Sequence, residues 1–96
     1  MIVDTEGEVM VSGRITIMEK NGLHMRPAKV LCQVAAEYKC KVSLLTGNTA
    51  ANAKSLLNVL GAGIKQGMNI EVVCEGEDEE QALERIMNVL SDIKEN

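Results

Sequence analysis

Apolar residues change their spacing along this chain, and the change narrows the folds open to it. Val9, Val11, Ile15 and Ile17 fall at every second position, with Gly13 completing the series. This is the period of a strand with one buried face, and it predicts a first strand over roughly residues 12–18. Asn21-Gly22 then marks a turn. From Pro27 the period lengthens. Lys29, Gln33 and Glu37 make a polar stripe, while Ala28, Leu31, Cys32 and Ala35 make an apolar one that Val30 and Val34 broaden. A helix ending near Tyr38 is expected, with Pro27 in its first turn.

The rest of the chain alternates in the same way. Val42 and Leu44 interleave with Lys41 and Ser43, and Thr46-Gly47-Asn48-Thr49 reads as a hairpin into a short third strand. Ser55 stands ahead of Leu56, Leu57, Val59 and Leu60 as the N-cap of a short helix, closed by Gly61-Ala62-Gly63. Ile70, Val72 and Cys74 alternate as a fourth strand. Asp78 is placed to cap a last helix whose early acidic residues suit its positive end. Leu83, Ile86, Leu90 and Ile93 are expected on its buried face. The order β-α-β-β-α-β-α implies an α+β fold. It is a two-layer open-faced sandwich, a four-stranded mainly antiparallel sheet with three helices on one face.

With 96 residues there is room for one domain, assigned to residues 12–96. Residues 1–11 are read as an N-terminal extension that either lengthens the first strand or is disordered. Tyr38 is the only aromatic residue, so the core must be aliphatic, with the six methionines expected as filler. A net charge of −4 argues against nucleic-acid binding, which needs a basic face. No run of eighteen apolar residues is present, so no membrane insertion is expected. Met1 to Glu8 holds three acidic residues and no Lys or Arg, unlike a signal or transit peptide. Three widely spaced cysteines point to a reducing cytoplasm. They lack metal-ligand spacing, and there is one histidine to help them, so neither a metal nor another cofactor is expected. Cys32 and Cys74 fall on apolar faces as packing residues. The acidic run from Glu75 to Glu80, broken by Gly76, reads as a solvated turn and helix start.

Chemistry concentrates in Asn21-Gly22-Leu23-His24-Met25-Arg26-Pro27-Ala28. The segment sets the only imidazole just ahead of a helix start, with a guanidinium two residues on. A helix start offers free N–H groups and the positive end of the dipole, which favour an anion. They disfavour imidazolium, so His24 is expected to be neutral and nucleophilic near pH 7. Arg26 carries a fork of donors suited to phosphate oxygens. A neutral imidazole that attacks a phosphoryl group needs such oxyanion stabilisation. By itself the pattern is also that of a surface or capping histidine.

Gly22-Leu23-His24-Met25-Arg26-Pro27-Ala28 resembles the G-[IL]-H-A-R-P-A active-site motif of the HPr family, histidine-containing phosphocarriers of the bacterial phosphoenolpyruvate-dependent sugar phosphotransferase system. Asn52-Ala53-Lys54-Ser55-Leu56-Leu57 resembles the family's N-x-K-S-[IL]-[ML] segment around its regulatory serine. Gly63-Ile64 through Gly67, then Glu75-Gly76-Glu77-Asp78-Glu79, resembles its last strand and turn. The resemblance runs in order from about Gly13 to Leu90. It implies that His24 accepts a phosphoryl group on Nδ1 from Enzyme I and donates it to a IIA component, with Arg26 steadying the phosphate. It implies a regulatory phosphorylation of Ser55 by HPr kinase/phosphorylase, beside the residue's role as a cap. It also implies partner docking by Leu56, Leu57 and Leu60, and Met25 at the site rim and Lys29 as an electrostatic guide are read as partner-binding beside them. Four apolar residues in six exceed what one face of a short helix buries, so part of this set should be exposed. Lys29 is equally read as a solvated residue. A monomer is expected, as a covalent intermediate in a relay rather than a free-standing enzyme.

Met25 stands where the family has a small alanine, and Asn58 where a glycine is common in the short helix. Both bear on partner choice more than on the chemistry. They leave open a regulatory paralogue in a nitrogen-type or dihydroxyacetone-type relay. A non-carrier protein-binding module controlled through Ser55 is the reading of another class, and the presence of both His24 and Arg26 argues against it.

Overall fold

The computed structural model describes residues 10–92. In chain order the elements are β1 (Val11–Thr16), α1 (Met25–Ala35), β2 (Lys41–Thr46), β3 (Thr49–Asn52), α2 (Leu56–Gly61), β4 (Asn69–Glu75) and α3 (Glu79–Asp92). The four strands form one sheet in the order β1-β4-β2-β3, with every neighbouring pair antiparallel. Both β1 and β2 run against β4, so they are parallel to each other with β4 between them. The β1-α1-β2 crossover is therefore a split β-α-β unit. Helix α3 packs on β1 and β4, and α1 packs against both α3 and α2, so the helices form one layer. The expected class and element order are those observed.

The core lies between the layers and follows from the strand period. On β2 and β4, Val42, Leu44, Ile70, Val72 and Cys74 point inward and are buried, while their neighbours are not. They meet Ala28, Leu31 and Ala35 of α1, Val59 of α2, and Ala82, Ile86 and Leu90 of α3. Gly13 leaves room on β1 for α3. A Cβ there would lie 3.1 Å from the terminal methyl of Met87.

Several local expectations need correction. The strand set over 12–18 covers Val11–Thr16. Beyond it Ile17 still pairs, but with the turn at Gly67 and Met68 rather than with β4. Helix α1 begins two residues before Pro27 and stops at Ala35, and the Glu37 and Tyr38 amides close tight turns back onto Val34 and Ala35. Val30 faces solvent and Cys32 is only partly buried. The methionines are not core filler. Met10, Met18 and Met25 are exposed, and Met68 and Met87 are partly buried, because inward positions on the strands and helices carry Val, Ile, Leu, Ala and Cys. On α3 the buried face is Ala82, Ile86 and Leu90 together with Glu79, while Leu83 is partly buried. Ile93 and residues 1–9 lie outside the described residues.

The acidic run is not uniformly solvated. Glu79 is buried, and its carboxylate accepts the Gly76 N–H at 2.9 Å. Nor does the Asp78 side chain cap α3. Its two oxygens accept the N–H groups of Lys39 and Cys40 at 2.8 and 2.9 Å, tying the start of α3 to the entry of β2. These amides, Lys39 first, hold the Asp78 carboxyl below the ordinary carboxylate range.

Candidate active site

The loop between β1 and α1 is held from two sides. Gly22 N–H donates to the Glu19 carbonyl at 2.9 Å, closing a four-residue turn. Leu23 N–H then donates to the Ile64 carbonyl at 3.0 Å, pinning the loop to the segment just past α2. Gly22 has φ +69, and a Cβ there would fall 2.2 Å from the Ile64 carbonyl oxygen, so both conformation and space call for glycine. Leu23 is buried beside it and anchors the approach to the helix.

This loop delivers His24 as the N-cap residue of α1, in extended backbone, with its carbonyl accepting the Ala28 N–H at 2.9 Å. The imidazole makes no side-chain cap bond to the helix. Pro27 has no N–H, so the free donors of the first turn are Met25 and Arg26. No acidic side chain occupies that turn. Arg26 is exposed and makes no ion pair among the described residues. The positive end of the 11-residue α1 thus carries a partly exposed imidazole, two first-turn amides and an arginine with no ion pair among the described residues. The arrangement can receive a dianionic group on the ring.

The second sequence block sits on neighbouring elements. Ser55 is the N-cap of α2, and its hydroxyl oxygen accepts the Asn58 backbone N–H at 3.2 Å and the Asn58 side-chain amide at 3.2 Å. Asn52 Oδ1 accepts the Lys54 N–H at 2.9 Å, and Lys54 Nζ donates to the Tyr38 carbonyl at 2.6 Å. Asn52 and Lys54 therefore shape the loop that presents Ser55. Because α1 packs on α2, both blocks lie in the helical layer, with His24 tied to the far end of α2 from Ser55. Leu57 is 82% exposed, Leu56 and Leu60 are partly buried, and Val59 takes the core position. Met25 and Lys29 are exposed. The cysteines stand apart from this chemistry. Burial, helped by Cys40, pushes the Cys74 thiol up to about 12, so it stays protonated and inert.

A sequence model described as the PTS HPr component phosphorylation site matches residues 11–92. The chain belongs to the HPr family. Among HPr relatives, the phosphocarrier protein HPr of Lysinibacillus sphaericus is 36% identical over 84 residues, 88% of this chain and 96% of its own length. The solved structure of the histidine-containing phosphocarrier protein of Mycoplasma superposes with a TM-score of 0.83 at 32% identity, covering 85% of this chain and 93% of that one. The HPr of Bacillus anthracis superposes with a TM-score of 0.80 at 32% identity, covering 84% and 96%. The sandwich described above is the HPr fold, and no helix among the described residues is long and apolar enough to cross a membrane.

One residue at the site was not singled out from the sequence. Glu19 is 6% exposed, and its Oε2 lies 3.2 Å from Nε2 of His24. In sequence Glu19 is one polar residue among several at a strand end. The turn closed by Gly22 folds it back against Nε2 of the ring five residues on.

Proposed function

We propose that this protein is a phosphocarrier that accepts a phosphoryl group on Nδ1 of His24 from Enzyme I and passes it to a IIA component in sugar uptake. The observation that carries the reading is the open start of α1. There the capping imidazole is left unbonded to the helix, beside the free N–H groups of Met25 and Arg26. Those amides and the Arg26 fork supply fixed donors for the phosphate oxygens, so charge arriving with the group meets preorganised partners. The exposed Leu57, with Leu56, Leu60, Met25 and Lys29, gives Enzyme I and IIA proteins a surface to recognise. Such a relay works in the cytoplasm.

Ser55 is proposed as a regulatory phosphorylation site, the substrate of an HPr kinase/phosphorylase. Its partly buried hydroxyl caps α2, and a phosphate there would add about −1.5 to −2 charges beside the docking leucines. The test of the carrier reading is incubation with phosphoenolpyruvate, magnesium and Enzyme I, followed by intact mass. An acid-labile gain of one phosphoryl group, absent in His24→Ala, is expected. No gain with a competent Enzyme I overturns the sugar-uptake reading.

A further inference from the structure

Glu19 is the outlier among the buried side chains. A buried carboxylate is expensive unless each oxygen is matched. Here Oε2 meets the His24 ring at 3.2 Å, and Oε1 is buried with no partner among the described residues. The side chains of Glu19 and His24 are 8% and 41% exposed, so the pair has a dry side and a wet side. Nothing in the packing calls for an acid, because a leucine or methionine would fill the same space without an orphaned oxygen. The burial has a chemical reason if the carboxylate acts on the ring.

We propose that Glu19 is the positioning residue of the phosphoryl-accepting site, an inference that rests on the carrier reading above. A carboxylate can only accept a hydrogen bond, so it holds the proton of His24 on Nε2 and leaves the lone pair on Nδ1. It also fixes the ring plane, with Nε2 turned to the dry side. In the transfer, the Nδ1 lone pair forms the new N–P bond while the bond from phosphorus to the donor breaks, its electron pair leaving with the donor. Nε2 keeps its proton, so the ring gains one positive charge, and that charge faces the carboxylate of Glu19. Onward transfer runs the same steps in reverse, with the neutral ring as leaving group.

His24 is the only histidine, so its two ring nitrogens give a single, unambiguous set of signals in a long-range ¹H–¹⁵N spectrum. In the unaltered protein above neutral pH, that spectrum should show the Nε2–H form, and a ring protonated on Nδ1 overturns the proposal without any variant. Two variants sharpen it, with folding followed by thermal melting. Glu19→Leu fills the space without an acceptor, and it should slow charging by Enzyme I about tenfold or more and mix the two tautomers. Glu19→Gln keeps an acceptor, because no partner of Oε1 dictates which way the amide turns. Because the amide can instead donate to a bare Nε2, it should hold the Nε2–H form less fully than Glu19 and charge at a rate between the other two. If Glu19→Leu charges at the unaltered rate, Glu19 is merely packed there. If the unaltered protein takes no phosphoryl group at all, the carrier reading has failed first and the inference falls with it.

Discussion

The starts of α1 and α3 face the same backbone problem and meet it in opposite ways. Each leaves amide N–H groups without intrahelical partners. At α3 the acids are local. Glu79 and Glu80 stand in the first turn, Glu79 accepts the Gly76 N–H, and Asp78 locks the same corner to Lys39 and Cys40. At α1 there is no acid in the first turn and no side-chain cap. Among the described residues Glu19 is the acid bonded at this site, and it bonds the ring and not the helix. A helix start whose positive end already faces the chain's own acids is a structural joint. One left open, with a nucleophile at its mouth, is suited to an anion that arrives from outside.

The contrast depends first on the loop that holds α1 open. Gly22→Ala should be the most damaging change, costing about 3 kcal/mol from the forced backbone and the clash with the Ile64 carbonyl. A large drop in denaturation midpoint together with lost charging is expected, and an unchanged midpoint would mean the loop adapts. At the other helix start, Asp78→Ala should lower the melting temperature by releasing two amides. The folded value of Asp78 lies below its ordinary 3.8. Its contribution is therefore full above the unfolded value and is lost as the pH falls through the folded one. Melting curves of Asp78→Ala and the unaltered protein should diverge near neutrality and converge in acid.

Smaller changes probe the comparison more finely. Ser55→Ala removes the cap of α2 and should cost about 1 kcal/mol in denaturant unfolding, leaving charging of His24 intact. Met25→Glu makes the start of α1 resemble that of α3. It should stabilise the fold by about 0.5 kcal/mol through the helix dipole, yet slow phosphoryl arrival. Faster or equal charging in Met25→Glu would show that the open amides are not the phosphate seat.

Much of the fold was legible because period and capping are local. The alternation of Val42, Leu44, Ile70, Val72 and Cys74 named the inner face of the sheet, and Ser55 was recognised as a cap from its type and place alone. Local pattern misleads where a partner from elsewhere in the chain wins. Asp78 looked like a cap and was drawn to Lys39 and Cys40, thirty-nine and thirty-eight residues away. Glu79 looked solvated and was buried by the corner it closes. The methionines looked like filler, and three of the five described are exposed at strand ends, loops or a helix start.

The candidate site divides along the same line. By itself the sequence determined the strand and helix order, the aliphatic core, and the placing of His24 and Arg26 at a helix start. Each of these depends on residue type and spacing over a few positions. Tertiary structure alone decided that Gly22 must clear the Ile64 carbonyl, that Leu57 stays in solvent while Val59 is covered, and that Glu19 is buried against the imidazole. Those outcomes depend on which surfaces remain after the layers have packed, and no local pattern carries that information.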